Sequence, residues 1–201
     1  MDNGLLVVIS GPSGAGKGTI CKMLKEQMKD LKVSVSATTR KPREGEVGGE
    51  SYFFISKDEF IKKIGDDEFL EYAKVYGNFY GTPKKEVFKQ LEAGHDIILE
   101  IDIQGALQVK KNYPKGVFIF ILPPSLRELQ NRIEGRGTDS KEAILKRMKC
   151  AYDELDYAFE YDYVVLNDEV EAAVNKIKCI IDAEKSRAIR KKAIINKIRE
   201  V

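Results

Sequence analysis

Short, almost entirely apolar runs alternate with amphipathic stretches along most of the chain. Leu5–Ser10 stops at a glycine-rich loop, which predicts a strand buried on both faces of a parallel sheet. Asp96–Ile101 and Val117–Leu122 have the same character, and Tyr163–Leu166 supplies a last strand. Helical periodicity first follows from Lys17 to Lys29. This alternation predicts an α/β fold with a parallel central sheet flanked by helices.

The alternation is interrupted between residues 33 and 82. Val33–Ser36 and Tyr52–Ile55 are predicted strands, and residues 37–51 are rich in Thr, Gly, Arg and Glu, which is typical of a loop. A small subdomain is therefore expected within one domain of 201 residues. The glycine-containing stretch 135–138 between two helices is predicted to be a flexible break. We expect a core of residues 1–32, 83–127 and 159–201, an inserted subdomain at about 33–82 and a segment at about 128–158 that spans this break.

Several helix starts are marked by capping residues. Ser56 and Ser125 each precede a Glu by three residues, so a helix is predicted to begin directly after each serine. A further helix is predicted over Gly105–Lys111, between two central strands. Ser140–Ala158 and the chain from Glu169 onward are predicted to form the last two helices.

The composition excludes several classes of protein. Hydrophobic residues make up 43% of the chain and charged residues 33%, which is typical of a globular protein. No apolar run approaches the ~20 residues of a membrane span. Three cysteines at unrelated spacings and one histidine, His95, favour neither a disulfide framework, a zinc site nor a histidine-dependent hydrolase. A reduced, cytoplasmic protein is expected.

Basic residues concentrate at the C-terminus, although the formal net charge is only +2. Such a tail is able to contact nucleic acid. Apolar residues recur at helical spacing within residues 185–201, however, and this favours a solvated helix face. We expect no membrane partner, no nucleic-acid partner, and either a monomer or a homodimer.

The strongest chemical signal lies between the first strand and the first helix. Its loop consists of Gly11, Pro12, Ser13, Gly14, Ala15, Gly16, Lys17, Gly18 and Thr19. The spacing matches the G-x-x-x-x-G-K phosphate loop, in which backbone N–H groups, a helix N-terminus and the Lys17 ammonium converge on phosphate oxygens. Gly18 departs from this motif, because a Ser or Thr at that position normally helps to hold Mg²⁺. Thr19 is expected to contact a phosphate, and Mg²⁺ to be held mainly by nucleotide phosphates, water and another carboxylate.

Five further stretches narrow the class of nucleotide-binding protein. They are residues 36–52, 76–82, 99–105, 132–138 and 165–168. In this order, and together with the phosphate loop, they resemble the guanylate kinase family over about residues 5–185. The resemblance implies Mg²⁺-dependent transfer of the γ-phosphoryl group of ATP to GMP, giving ADP and GDP, in purine nucleotide metabolism.

The resemblance also implies an acceptor site. Its GMP-binding residues would be Ser36, Arg40, Arg43, Glu46, Tyr52, Glu71, Tyr80, Thr82, Glu100 and Asp102. Guanidinium groups and tyrosine hydroxyls suit the acceptor phosphate. The guanine edge presents two donors and one acceptor, so a carboxylate at Glu71 with hydroxyl partners at Ser36 and Thr82 would select it over adenine.

Glu100 and Asp102 lie two residues apart at the end of a predicted strand and are expected to share a face. Parallel sheets place their sites at this carboxyl edge. The pair is expected to orient magnesium waters, arginines or the acceptor base. Neither is assigned as a direct metal ligand, and the choice between Glu100 and Asp102 for a magnesium contact through water stays open.

The resemblance further implies a donor side and a short mobile lid at about 128–158, with Gly135 and Gly137 giving the lid its freedom to move. The ATP-binding residues would be the nine residues of the phosphate loop and Asn167, which would lie near the donor adenine. Arg132, Arg136 and Arg147 would close over the phosphates. The catalytic set implied by the resemblance is Lys17, Arg43, Arg132, Arg136 and Arg147.

Three alternatives stay open at this point. A guanylate-kinase-like binding module would hold a phosphopeptide in the acceptor site, but the presence of Lys17, Arg136 and Arg147 argues against it. A kinase for AMP or dTMP would not suit the expected base site at Glu71. A nucleic-acid-binding P-loop protein rests on the basic tail alone.

Overall fold

A computed structural model describes residues 4–75, 77–135 and 141–199, with only the backbone of residue 141. The strands are β1 (Leu6–Ser10), β2 (Leu31–Val33), β3 (Ala37–Thr38), β4 (Phe53–Phe54), β5 (Phe69–Val75), β6 (Asn78–Pro83), β7 (Asp96–Glu100), β8 (Val117–Leu122) and β9 (Tyr163–Leu166). The helices are α1 (Lys17–Gln27), α2 (Lys57–Gly65), α3 (Lys84–Glu92), α4 (Ile103–Asn112), α5 (Leu126–Glu134), α6 (Lys141–Glu154), α7 (Val170–Lys185) and α8 (Lys192–Arg199), with 3₁₀ segments at Leu155–Glu160 and Ala188–Arg190.

The central sheet is parallel and has the order β2-β7-β1-β8-β9. Its two faces are covered by helices because alternate strand residues point to opposite sides. Val7 and Ile9 of β1 join a core formed with α1 and α7. Leu6 and Val8 join a second core formed with α3 and α4. The predicted fold class is therefore confirmed, and the loop after β1 lies at the carboxyl edge of the sheet.

A second sheet has the order β4-β3-β6-β5. It packs on α2, where Phe60 is fully buried and stacks on Phe69 at 4.5 Å between ring centroids. The side chain of Gln108 in α4 joins both the N–H and the carbonyl of Tyr72 in β5, each at 3.1 Å. Asn112 donates to the carbonyl of Leu70. These contacts fix the second sheet to a helix of the core.

Several element predictions need correction. The predicted loop 37–51 contains β3, a two-residue strand that pairs with both β4 and β6. The strand predicted at Val33–Ser36 forms earlier, as β2, and the last predicted helix ends at Lys185, before the separate α8. The helix predicted to reach Ala158 becomes a 3₁₀ segment from Leu155 onward.

A further correction concerns Asp102 and bears on the site. Strand β7 ends at Glu100, so Asp102 does not share a strand face with it. Asp102 is instead the N-cap of α4, and its Oδ1 accepts the N–H of Gly105 at 2.8 Å. Aspartate is a favoured N-cap because its carboxylate satisfies a free N–H group of the first turn. The helix consequently begins two residues before the predicted Gly105.

Within the basic C-terminal tail, residues Lys192–Arg199 form α8, and all of them are exposed. Ile194 and Ile198 are 50% and 71% exposed, so their apolar face is not buried against the core. Arg190, just before this helix, donates to the carbonyl of Lys115. Among the described helices, none is long and apolar enough to cross a membrane.

Candidate active site

The phosphate loop is formed between β1 and α1, as the sequence predicts. Lys17 bends back over the loop, and its Nζ donates to the carbonyls of Gly11 and Pro12 at 2.6 and 3.1 Å. Gly16 precedes α1 with a φ of 94°, a left-handed conformation that favours glycine. No side chain of the described residues caps this helix, and its first turn has no acidic residue. The free N–H groups of α1 are thus available for an anion.

Asn167 braces this loop from the end of β9. It is fully buried, and its Nδ2 donates to the carbonyl of Ala15 at 2.7 Å. A Cβ at Gly16 would lie 2.3 Å from the same Nδ2, so a larger residue would push the brace away. Arg132 of α5 donates to the carbonyl of Asn167 at 3.2 Å and also pairs with Glu128. Asn167 and Arg132, both predicted site residues, therefore lie against the phosphate loop.

Three carboxylates lie around the Lys17 ammonium. Burial lowers the pKa of Lys17, whereas the charges of Glu100, Glu154 and Asp102 raise it. Partial desolvation raises the pKa of Glu100, and the Lys17 charge opposes this shift. Lys17 therefore interacts electrostatically with Glu100 and Asp102, the two carboxylates that were predicted on the acceptor side.

Glu154 was missed by the sequence reasoning. It is the last residue of α6 and is half-buried. Desolvation raises the pKa of its carboxyl, while Lys17 and a hydrogen bond from the Ser13 backbone lower it. No sequence motif marks this contact, because Glu154 and Ser13 meet only through the packing of α6 on α5 beside the loop.

A pocket of about 250 Å³ opens on the other side of Glu100 from the phosphate loop residue Gly18. Six predicted GMP-binding residues line it: Ser36, Tyr52, Glu71, Tyr80, Glu100 and Asp102. Glu71 is 6% exposed and stands opposite Thr82 in the register of β5 and β6. The Thr82 hydroxyl donates to Glu71 Oε1 at 2.6 Å. Burial raises the pKa of Glu71 to about 7, an effect that the hydrogen bond from Thr82 opposes and the Asp102 charge reinforces.

Arg40 and Glu46 form an ion pair at the rim of the second sheet. Two guanidinium nitrogens of Arg40 donate to the two carboxylate oxygens of Glu46 at 2.9 and 2.7 Å. Glu46 also accepts the backbone N–H of Arg43 at 2.7 Å, and these hydrogen bonds lower its pKa to about 2. The Arg40 guanidinium lies over the Tyr52 ring, 5.4 Å from its centroid. Glu46 therefore holds the guanidinium of Arg40 and the backbone of Arg43.

The remaining predicted residues differ in their exposure, and one of them is not described by the structure. Arg43 is exposed and Thr19 is exposed on the first turn of α1. Arg147 is half-buried on α6. Arg136 lies outside the described residues. Of the three arginines predicted to close over the phosphates, the structure therefore describes Arg132 and Arg147.

The lone histidine and the first cysteine are not among the predicted site residues. His95 lies directly before β7. Cys21 is buried in the core formed with α1 and α7, and burial raises its pKa well above the usual range. Among the described residues, no group of three or more His, Cys, Asp or Glu is arranged to hold a metal ion.

The fold and the loop at the end of β1 define a P-loop protein of the α/β class, which binds nucleotide phosphates. A family model described as guanylate kinase matches residues 3–184. The chain is 64% identical to a guanylate kinase of Caldanaerobacter subterraneus subsp. tengcongensis, over 98% of this chain and 96% of the relative. It is 60% identical to a guanylate kinase of Clostridium tetani, over 94% of this chain and 91% of the relative.

A solved structure gives the same result. The crystal structure of guanylate kinase from Anaplasma phagocytophilum superimposes with a TM-score of 0.76 at 33% identity, and covers 94% of this chain and 90% of its own. The chain belongs to the guanylate kinase family, and it is an enzyme that transfers a phosphoryl group to a guanine nucleotide.

Proposed function

We propose that the enzyme transfers the γ-phosphoryl group of ATP to GMP, giving ADP and GDP, with Mg²⁺. The observation that carries this proposal is the buried Glu71 carboxylate, which the Thr82 hydroxyl holds at 2.6 Å in a pocket that Glu100 also lines. A buried carboxylate with free acceptor capacity selects a ligand that presents two donors. GMP as acceptor and ATP as donor are the partners that this arrangement suits best.

Glu71 would accept from N1–H and the 2-amino group of guanine. Adenine presents an acceptor at N1 and would leave the buried carboxylate without a donor, which is costly. Ser36 lines the same pocket and offers a hydroxyl for the guanine O6. Base selection would therefore rest on hydrogen-bond polarity in this pocket.

The phosphates would lie between the loop and the acceptor arginines. Phosphoryl transfer depends on positioning and charge neutralisation, and it needs no strong general base. Lys17 and the free N–H groups of α1 would hold the ATP phosphates. Arg40, whose guanidinium pairs with Glu46, and Arg43, whose backbone Glu46 holds, would bind the GMP phosphate. Arg132 and Arg147 would neutralise charge that develops during transfer.

The residues present fit a magnesium ion at the carboxyl edge of the sheet. Glu100 and Asp102 supply the hard oxygen atoms that Mg²⁺ prefers, and both are exposed to the cleft. Nucleotide phosphates and water would supply most of the remaining ligands. When bound, Mg²⁺ neutralises phosphate charge.

The division into a core, an acceptor subdomain at about 33–82 and a lid at about 128–158 is part of this proposal. The second sheet carries Glu71 and Thr82, and helices α5 and α6 carry the arginines Arg132 and Arg147. Closure of both parts over the core would exclude water, which otherwise competes for the phosphoryl group.

A panel of acceptors tests the proposal directly. ADP release from ATP and Mg²⁺ is measured with GMP, dGMP, AMP, UMP, CMP and dTMP. We expect activity to be confined to the guanine nucleotides. Activity with AMP or dTMP instead would contradict the assignment of Glu71, and a folded protein without any activity would favour a binding module.

GMP affinity is expected to fall about tenfold for each pH unit below about 7. Burial raises the pKa of Glu71 to about 7, so the carboxyl is protonated below that pH. It must lose this proton before it accepts both guanine donors, and lowering the pH therefore weakens binding. Calorimetric titration with GMP across this pH range measures the effect.

The Glu71→Gln variant provides the control for this profile. The phosphate of GMP also titrates, with a pKa near 6, and that contribution persists in the variant. The difference between the two profiles therefore isolates Glu71. Parallel profiles for both proteins would contradict the prediction.

A further inference from the structure

Position 18 is where this phosphate loop departs from the usual motif. A Ser or Thr hydroxyl directly after the loop lysine normally supplies an oxygen to Mg²⁺. Gly18 has no side chain, so that oxygen is missing from the loop itself. The side chain of the neighbouring Thr19 points in a different direction from one at position 18, because successive helical residues project about 100° apart.

The space above Gly18 contains the Glu100 carboxylate. A Cβ built at Gly18 would lie 3.3 Å from Glu100 Oε1 and 3.8 Å from Oε2. Both carboxylate oxygens therefore face the first turn of α1, where a hydroxyl-bearing side chain would begin. The backbone supports this placement, because β7 pairs with β1 and sets Glu100 beside Ile9, two residues before the loop glycine Gly11.

We propose that Glu100 replaces the missing hydroxyl of the phosphate loop and supplies the oxygen that holds the magnesium ion of the nucleotide. This inference rests on the proposed function for the presence of a magnesium nucleotide. The absence of a side chain at Gly18 leaves room for the longer side chain of Glu100. A carboxylate oxygen is a stronger ligand for Mg²⁺ than a neutral hydroxyl.

Asp102 is less suited to this role. Its Oδ1 already accepts the N–H of Gly105 as the N-cap of α4. Among the contacts of a Cβ at Gly18, those within 4 Å all belong to Glu100. The choice between the two carboxylates, which the sequence leaves open, is therefore made by the contact with Gly18.

The test is the gain in ADP affinity that Mg²⁺ produces, measured by calorimetry with Mg²⁺ and with a chelator. Loss of a side chain that orients a metal typically costs about tenfold or more in metal affinity. We expect Glu100→Asp, which keeps the charge and shortens the reach, to lower the Mg²⁺ gain about tenfold. Glu100→Gln is expected to lower it at least as much.

Two substitutions at position 18 separate the effect of an added Cβ from the effect of an added hydroxyl oxygen. Gly18→Ala adds the Cβ without adding an oxygen; because Glu100 Oε1 lies 3.3 Å away at the end of a flexible side chain, it needs only a small shift, and the Mg²⁺ gain is expected to fall only slightly. Gly18→Ser adds the same Cβ together with a hydroxyl, so the gain is expected to stay within about threefold of the parent. In the Gly18→Ser background, Glu100→Asp should cost less than about threefold.

The control is Glu50→Gln, which removes a carboxylate from a loop that lines the same cleft as Glu100. It should leave the Mg²⁺ gain unchanged. The inference is overturned if Glu100→Asp and Glu100→Gln leave the gain intact, or if Glu100→Asp costs the same in the Gly18→Ser background as in the parent. Thermal unfolding without metal verifies that each variant is folded. If the variants at position 18 do not fold, the Mg²⁺ gain of the Glu100 variants alone tests the inference.

These outcomes are independent of GMP. A parent protein that fails to phosphorylate GMP refutes the proposed function, whereas the ADP measurements test the donor side alone. An enzyme that phosphorylates GMP but shows no coupling between positions 18 and 100 refutes only this inference.

Discussion

The Lys17→Met variant is expected to lose about a hundredfold to a thousandfold in kcat and to keep its fold. Methionine fills nearly the same space but has no charge for the transferred phosphoryl group. Burial lowers the pKa of Lys17, so its removal relieves a desolvation cost, which offsets the loss of the hydrogen bonds to Gly11 and Pro12. ADP release at saturating ATP and GMP measures kcat, and thermal unfolding verifies the fold.

Lys25→Met is the matched control for this variant. Lys25 is an exposed residue of the same helix and lines the neighbouring cleft, so the two substitutions change the net charge equally. Its kcat should equal that of the parent. Near-normal turnover in Lys17→Met would remove Lys17 from the transfer step, and equal losses in both variants would indicate a general effect of charge.

The Glu71→Gln variant is expected to shift the ratio of kcat/KM for GMP to that for AMP by about a thousandfold towards AMP. The glutamine amide places a donor opposite one guanine donor, which leaves a buried polar group unpaired. The same amide has both a donor for the acceptor N1 and an acceptor for the amino group of adenine. Initial rates with both acceptors give the ratio.

Glu92→Gln controls for the loss of a carboxylate. Glu92 is exposed at the end of α3, so its substitution should leave the ratio of kcat/KM for GMP to that for AMP unchanged. A Glu71→Gln enzyme that still prefers GMP as strongly as the parent would show that base selection lies elsewhere in the pocket. Similar thermal unfolding of the two variants would verify that the buried site has not collapsed.

The phosphate loop was predictable because its signal is local. A buried strand, the glycine spacing from Gly11 to Gly16 and an amphipathic helix are adjacent in sequence, and each supports the same interpretation. Strand β3 was missed because Ala37–Thr38 is too short to show periodicity, and pairing with β4 and β6 forms it. The cap at Asp102 was missed although aspartate before an apolar residue is a recognised helix start.

Contacts between distant segments were not predictable from this one sequence. Glu154 approaches the Ser13 backbone through the packing of α6 on α5. Glu46 was expected only to bind GMP, whereas its hydrogen bonds connect it to Arg40 and Arg43. Burial of Glu71 depends on register between β5 and β6. Spacing along the chain does not encode such distances.

The brace at Asn167 has a consequence for how the enzyme becomes active during synthesis. Its hydrogen bond to Ala15 joins residues 152 positions apart. The phosphate loop is made early on the ribosome, but it receives this support only after β9 has been made and paired with β8. Contacts of such high sequence separation form late, because their loop-closure entropy is large. ATP would therefore stabilise the nearly finished chain and give little protection to its emerging N-terminal half.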